Sequence, residues 1–137
     1  MVTLQGSARI GKAPTLKYVG DNNDKPVCEF SVRMLSFRKS KTEADQLDDK
    51  GFWANISIWG KFAEAASKQF SKGDRIFIAD ADIYQDTYRY TPANSDQEED
   101  GSSFQINCSL VFPWTPDLEA VTFKPRRGAD EESDGQD

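Results

Sequence analysis

The segment Phe52–Trp59 constrains the fold most strongly, because large apolar side chains fall on both faces of what would be one strand. Side chains alternate from one face of a β-strand to the other. One face would carry an apolar set: Phe52, Ala54, Ile56 and Ile58. The opposite face would carry a mixed set: Trp53, Asn55, Ser57 and Trp59. Indole rings among polar neighbours fit a dry core poorly, but they suit an exposed surface on which flat groups such as nucleobases stack.

Periodicity predicts further strands and one helix. Four other segments alternate between apolar and polar side chains: 2–10, 28–37, 75–84 and 104–110. Gly6 interrupts the first of them and predicts a bulge. Residues 61–72 place Phe62 and Phe70 at helical spacing, where we expect both in the core, and Gly73 follows as a C-terminal cap. Three strands, a helix and two strands predict a mainly β, five-stranded barrel of the OB-fold type.

The charge distribution separates a basic body from an acidic end. Residues 1–90 carry 14 Lys or Arg and 12 Asp or Glu, whereas residues 91–137 carry 3 and 11. The acidic side chains concentrate in residues 96–100 and 130–137, and the second of these segments has so few apolar residues that we predict disorder there. The formal net charge of −6 therefore does not exclude a nucleic-acid partner for the body.

Residues 36–50 are predicted to form a long mobile loop, because they are polar and do not alternate. The first half of this loop is basic: Arg38, Lys39 and Lys41. Its basic half follows Phe37, the predicted end of the second strand. Arg33 and Phe37 would share the outward face of that strand, which corresponds to the face that carries the two tryptophans.

Residue content excludes several kinds of site. The chain has no histidine and only two cysteines, so it offers no zinc site, no histidine acid or base and no catalytic triad. We predict no cofactor. Cys28 and Cys108 lie in apolar strand contexts, where buried, reduced thiols are expected rather than a disulfide. No apolar run is long enough to cross a bilayer, and the first residues do not resemble a signal peptide, so we expect a soluble, unsecreted protein without a membrane partner.

Several motifs resemble the bacterial single-stranded DNA-binding protein family between about residues 8 and 110. Residues 9–18 resemble the family's first strand and the loop after it, although Ala8 stands where the family usually has glycine. Phe37-Arg38 resembles the aromatic and basic pair that closes the second strand. Trp53 followed by residues 59–64 (Trp-Gly-Lys-Phe-Ala-Glu) is similar to the family's signature in the third strand and helix, and Lys72-Gly73 follows at the family's distance.

This resemblance implies a non-enzymatic bacterial, phage or mobile-element protein that coats single-stranded DNA in replication, recombination, repair or conjugative transfer. It also implies a homo-oligomer, with a tetramer favoured over a dimer, in the cytoplasm and associated with the nucleoid. Carried over by position, the base-stacking aromatics are Phe37, Trp53, Trp59 and Tyr88. Arg38 and Lys61 match positions near the DNA backbone, and the residue pattern adds three further cations: Arg33, Lys39 and Lys41.

Other interpretations of the same residues stay open. The tryptophan face could be the interface of an OB-fold subunit that binds protein rather than DNA. Phe37 could be a core residue at a strand end, and the basic cluster could be a solvated loop. The tyrosines of the long hairpin could be cross-strand packing: Tyr84, Tyr88 and Tyr90. An enzyme would need a metal site, and its candidate ligands are Asp80, Asp82 and Asp86.

The chain is predicted to contain one OB-fold domain over residues 1–112, an extension of unknown role over 113–127 and a disordered acidic tail over 128–137. In the resembling family an acidic C-terminus ends in a short apolar segment that docks onto replication and repair proteins. The present tail keeps the acidity with which it could contact replication or repair proteins, but it ends Asp-Gly-Gln-Asp and lacks the usual apolar segment. Trp114 is expected to pack on the barrel or on a neighbouring subunit.

Overall fold

The computed structural model describes residues 1–126, so the predicted acidic tail at 128–137 lies outside the described residues. The strands are β1 (Val2–Val19), β2 (Lys25–Met34), β3 (Phe37–Lys39), β4 (Leu47–Asp49), β5 (Phe52–Trp59), β6 (Arg75–Tyr90), β7 (Glu99–Cys108) and β8 (Leu110–Pro113). One helix, α1 (Lys61–Gln69), and a 3₁₀ turn, Thr115–Asp117, complete the elements of this part of the chain.

Five of the strands close into a barrel in the order β1-β2-β5-β7-β6, and β6 pairs back onto β1. Every neighbouring pair is antiparallel except β5 and β7, which run parallel. The helix α1 connects the third barrel strand, β5, to the fourth, β6. This is the OB-fold topology, and it confirms the fold predicted from the order of strands and helix.

The inward faces of the barrel strands form the core, and their largest fully buried side chains are isoleucines and valines. Ile56 of β5, Ile76 of β6 and Ile106 of β7 are each at most 1% exposed. From α1 and its C-terminal end, Ala63, Ala66 and Phe70 pack against this core. The expectation that Phe62 is also buried is wrong, because it lies one position away from this stripe and is 40% exposed.

The two cysteines flank one core isoleucine on neighbouring strands. Cys28 on β2 lies opposite Ile58 on β5, and Ile58 lies opposite Cys108 on β7. Their Cα atoms are therefore separated by two strand spacings, roughly 10 Å, which is too far for a disulfide. Both thiols are free and buried, as expected, and burial raises the pKa of Cys28 to about 11 and that of Cys108 to about 12.

We expect neither thiol to react with a maleimide in the folded protein at about pH 8, because thiolate is the reactive form and burial disfavours it. Both should react once denaturant unfolds the chain. The free energy of unfolding should not change with pH on account of these thiols below their ordinary pKa of 9.0. It should fall as the pH rises from there towards 11, because the unfolded state loses these protons first. Mass spectrometry of labelled protein checks the first expectation. Rapid labelling of either thiol without denaturant would contradict it.

The region between β2 and β5 differs from the predicted loop. β2 ends at Met34 rather than near Phe37, and β3 and β4 form a short hairpin within residues 36–50. Two backbone hydrogen bonds hold the chain on either side of it, from Leu35 N–H to the Ser7 carbonyl (3.0 Å) and from Lys50 N–H to the Ser36 carbonyl (2.7 Å). Phe37 therefore begins a separate hairpin and does not share the outward face of β2 with Arg33.

β1 and β6 are also longer than predicted. β1 pairs with β2 beyond Gly11, with register shifts between Ile10 and Lys12 and between Lys12 and Thr15. These shifts break the simple alternation that the sequence prediction relied on. The predicted irregularity at Gly6 is confirmed, because the pairing of β1 with β6 shifts between Leu4 and Gly6.

Trp114 anchors the extension on the barrel of its own chain. Its backbone N–H donates to the Arg75 carbonyl (3.0 Å), and the Arg75 guanidinium lies 4.0 Å from the centroid of its ring. Such a cation–π contact is favourable, and more so where it is partly desolvated, as Arg75 is here. β8 precedes this anchor and pairs with the first half of β6, so residues 110–114 are joined to the barrel.

Candidate nucleic-acid interface

The outward face of β5 carries two large exposed aromatic side chains. Trp53 is 57% exposed and Trp59 is 47% exposed, whereas Ala54, Ile56 and Ile58 between them are buried. This confirms the division of Phe52–Trp59 into a core face and an exposed aromatic face. We call the outward side chains of β5 and of the neighbouring β2 and β7 the aromatic face.

Trp53 lies beside a cation and a groove of aromatic and polar side chains. Arg33 of β2 is its partner in register, and the Arg33 guanidinium lies 6.0 Å from the centroid of the Trp53 ring. A groove of about 400 Å³ runs alongside, with Ser31, Asn55 and Ser103 among its lining residues. An aromatic ring, a cation and uncharged hydrogen-bonding groups together suit a nucleobase and its phosphate.

A second groove continues the first across β2 and β7. It encloses about 270 Å³, shares Ser31 and Asn55 with the first, and adds Lys12 and Gln105. The register explains this row, because Ser31 lies opposite Asn55 and Asn55 lies opposite Gln105. The sequence placed Asn55 on the exposed face with the tryptophans. Ser31 and Gln105 were not singled out, although their alternation with buried residues was a usable signal.

Trp59 lies in a different electrostatic setting. It lines a groove of about 450 Å³ together with Asp80 and Asp82 of β6. Six residues of strand place it roughly 20 Å from Trp53. Lys61 follows it at the start of α1, exposed, with its Nζ 5.5 Å from the centroid of the Phe62 ring. The groove beside Trp59 is therefore acidic, and this arrangement favours phosphate less than the groove beside Trp53 does.

Arg33 is held by an ion pair. Its guanidinium donates to the Asp49 carboxylate of β4 at 3.1 Å, and the Gly51 N–H donates to the other oxygen of that carboxylate at 2.9 Å. These two hydrogen bonds, that from Gly51 first, lower the pKa of Asp49, so the pair stays charged at neutral pH and is lost as the pH falls through that lowered pKa. A phosphate at Arg33 would have to compete with Asp49.

The β3–β4 hairpin presents the predicted basic cluster next to acidic residues. Phe37 is 51% exposed and lies opposite Asp49. Arg38 lies opposite Asp48 in the next register position. Arg38, Lys39 and Lys41 are all exposed. Through the pair between Asp49 and Arg33, the structure places this hairpin and Phe37 beside the part of the aromatic face that contains Trp53.

Tyr88 lies on the outer half of β6, 50% exposed and opposite Gly101 of β7. The ring centroids of Tyr88 and Tyr90 are 5.8 Å apart, so these two rings of β6 pack on the same face of the strand and are also exposed. Tyr84 is 48% exposed and lies opposite Gln105, at the end of the polar row. All three tyrosines share one face of the strand, because their positions differ by even numbers.

The three aspartates considered as a metal site do not converge. Within residues 1–126, no group of three or more acidic or thiol side chains is placed to hold a metal ion. Asp80 adopts a left-handed backbone conformation, with a φ of 53°, and Asp82 and Asp86 follow along the same strand rather than facing one another.

The model of the single-strand binding protein family matches residues 2–106, which span all five barrel strands apart from the last residues of β7. The chain belongs to the single-strand binding protein family. Membership in this family confirms the resemblance inferred from the motifs around Phe37, Trp53 and residues 59–64. No curated protein matches the chain.

Solved structures with similar folds come from the same family. The second single-stranded DNA-binding protein from Mycobacterium smegmatis is 18% identical, with a TM-score of 0.56 over 90% of this chain and 98% of that one. The Plasmodium falciparum protein in complex with single-stranded DNA is 16% identical, with a TM-score of 0.54 over 82% and 94%. The small single-stranded DNA-binding protein from Streptomyces coelicolor is 13% identical, with a TM-score of 0.54 over 82% and 93%. At these identities the likeness concerns the fold.

Within residues 1–126, no helix has both the length and the apolar character needed to cross a membrane.

Proposed function

We propose that this protein binds single-stranded DNA without sequence preference and without catalysing a reaction. The observation that carries the proposal is Trp53, which is 57% exposed on an OB-fold of the single-strand binding family, next to Arg33 and a groove of aromatic and polar side chains. Every base has a π-face, so stacking on such rings tolerates any sequence. Lys and Arg side chains neutralise phosphates and release counterions.

The proposed site consists of four aromatic and five basic residues: Phe37, Trp53, Trp59, Tyr88, Arg33, Arg38, Lys39, Lys41 and Lys61. Exposure of all four rings supports the stacking role. The groove residues beside Trp53 extend this set with neutral hydrogen-bonding groups: Ser31, Asn55 and Gln105. Arg33 beside Trp53 is paired with one carboxylate, Asp49, whereas two aspartates line the groove beside Trp59, so we place the strongest base contact at Trp53.

The wider role is proposed from family membership. It comprises protection of single strands in replication, recombination, repair or conjugative transfer by a cytoplasmic homo-oligomer, a tetramer before a dimer. We also propose the division of the chain into the OB-fold domain of residues 1–112, the extension of 113–127 and the acidic tail of 128–137. A tail with that charge would compete with DNA for the basic part of the body.

The proposal is tested by titrating labelled oligo-dT, and duplex of the same length, with the protein at two salt concentrations. We expect tight binding of oligo-dT, weaker binding of duplex, and a fall of log K with log salt of about 0.7 per neutralised phosphate. An interface for a protein partner would instead respond weakly to salt and would not bind the oligonucleotide. Absence of oligo-dT binding at low salt would refute the proposed function.

A further inference from the structure

Trp53 reaches across a whole strand to lie on a glycine. The barrel order is β1-β2-β5, so a side chain on β5 must pass over β2 to reach β1. A Cβ built on Gly11 of β1 would overlap the far edge of the Trp53 indole, 2.7 Å from Cη2, and would lie 3.4 Å from the Ser31 hydroxyl oxygen. The ring therefore occupies the space that a side chain at position 11 would take.

Tyr88 shows the same arrangement at a second, independent place. Its Cα partner on β7 is Gly101. A Cβ built on Gly101 would lie 2.6 Å from Cε2 and Cζ of the Tyr88 ring and 2.9 Å from its hydroxyl oxygen. Two of the four proposed stacking aromatics thus rest against the backbone of a glycine on another strand, while about half of each side chain stays exposed.

Neither glycine is required by its backbone. Positive φ angles occur at other glycines of residues 1–126, namely Gly20, Gly60 and Gly73. A side chain at Gly51 would collide with the Met34 carbonyl, which is a backbone conflict, and one at Gly6 would meet only the Met34 methyl at 3.5 Å. Within the described part of the chain, Gly11 and Gly101 are thus the positions where an added Cβ would collide with an aromatic ring.

We infer that Gly11 and Gly101 are positioning residues for DNA binding, which hold the rings of Trp53 and Tyr88 down against the barrel in the orientation that bases meet. This inference rests on the proposed function and deepens it. A ring fixed before binding loses less conformational entropy when a base stacks on it. An added methyl group would lift the ring, because the exposed ring can move and the strand backbone cannot.

The test uses Gly11→Ala and Gly101→Ala, with Gly6→Ala as the matched control on the same strand as Gly11. We expect each of the first two variants to bind oligo-dT about three- to tenfold more weakly, the effect of having to order one side chain on binding. Gly6→Ala should bind as the unaltered protein does. Affinity is measured by anisotropy of a labelled oligonucleotide, and thermal unfolding is followed to verify that all three proteins are folded.

A double-substitution cycle separates positioning from a general structural effect. If Gly11 acts through Trp53, the protein with both Gly11→Ala and Trp53→Ala binds as weakly as that with Trp53→Ala alone. The same holds for Gly101→Ala combined with Tyr88→Ala. Additive losses in both cycles, or unchanged affinity in Gly11→Ala and Gly101→Ala, would overturn the inference.

The same variants distinguish failure of the positioning role from failure of the proposed function. Loss of affinity in Trp53→Ala together with no loss in Gly11→Ala refutes the positioning role of Gly11 and leaves the proposed function standing. No loss in Trp53→Ala refutes stacking on Trp53, and the positioning role of Gly11 falls with it, whereas the proposed function is refuted only by absence of oligo-dT binding.

Discussion

Replacing Trp53 with alanine will weaken the binding of single-stranded oligonucleotide by about 1 to 3 kcal/mol, the usual contribution of one stacked base. The fold will survive, because the ring is 57% exposed and packs on the surface of the barrel rather than in its core. The loss should persist at raised salt, since stacking does not depend on counterion release as phosphate contacts do. Anisotropy of labelled oligo-dT, with circular dichroism as a check of folding, measures both effects.

Trp59→Ala is the matched comparison, because it removes the same side chain from the same face of the same strand. We expect a loss of no more than about 1 kcal/mol, the lower end of the range for stacking. The reason is the acidic groove of Asp80 and Asp82 beside Trp59, where phosphate is disfavoured. A larger loss for Trp59 than for Trp53 would show that the DNA does not follow the groove beside Arg33. Unchanged affinity in both variants would refute the site.

Replacing Ile56 with alanine will lower the free energy of unfolding by about 2 to 5 kcal/mol, as large-to-small changes in a packed core do. Ile56 is 0% exposed and faces inward between Phe30 of β2 and Ile106 of β7. The folded fraction should keep its affinity for DNA, because the side chain does not reach the aromatic face. Urea unfolding followed by circular dichroism gives the change in stability.

Asn55→Ala serves as the control for this second prediction. It truncates the adjacent, outward side chain of β5, and we expect its stability to stay within about 0.5 kcal/mol of the unaltered protein. Together with Trp53→Ala, these variants test whether the inward face of β5 determines stability and its outward face determines DNA binding. A loss of stability in Asn55→Ala as large as that in Ile56→Ala would contradict the assignment of the faces.

The alternation of Phe52–Trp59 was sufficient to predict the two faces of β5, because period-two patterning acts over a few residues and needs no distant partner. The order of strands and helix was likewise sufficient for the OB-fold. Phe37 was placed wrongly, on β2, because β2 ends at Met34 and Phe37 pairs with Asp49 in a separate short hairpin. The alternation of apolar and polar residues near Phe37 does not mark where one strand ends and the next begins.

The surroundings of the tryptophans could not be predicted for a related reason. Asp80 and Asp82 of β6 come next to Trp59 of β5 across β7, and Gly11 of β1 comes under Trp53 across β2. Neither contact can be predicted from the sequence, because the residues that form it are far apart along the chain. The amphipathic pattern of α1 also misplaced Phe62, because spacing identifies an apolar stripe without fixing which of its edges the barrel covers.

Closure of the barrel has a kinetic consequence. Ala8 pairs with Ile76, and Ile56 pairs with Ile106, so the contacts that complete the cylinder join residues far apart in the chain. Topologies dominated by such non-local pairing fold in milliseconds to seconds rather than microseconds. During synthesis, the inner surface of the first strands thus stays open to the surrounding medium until β7 has emerged from the ribosome.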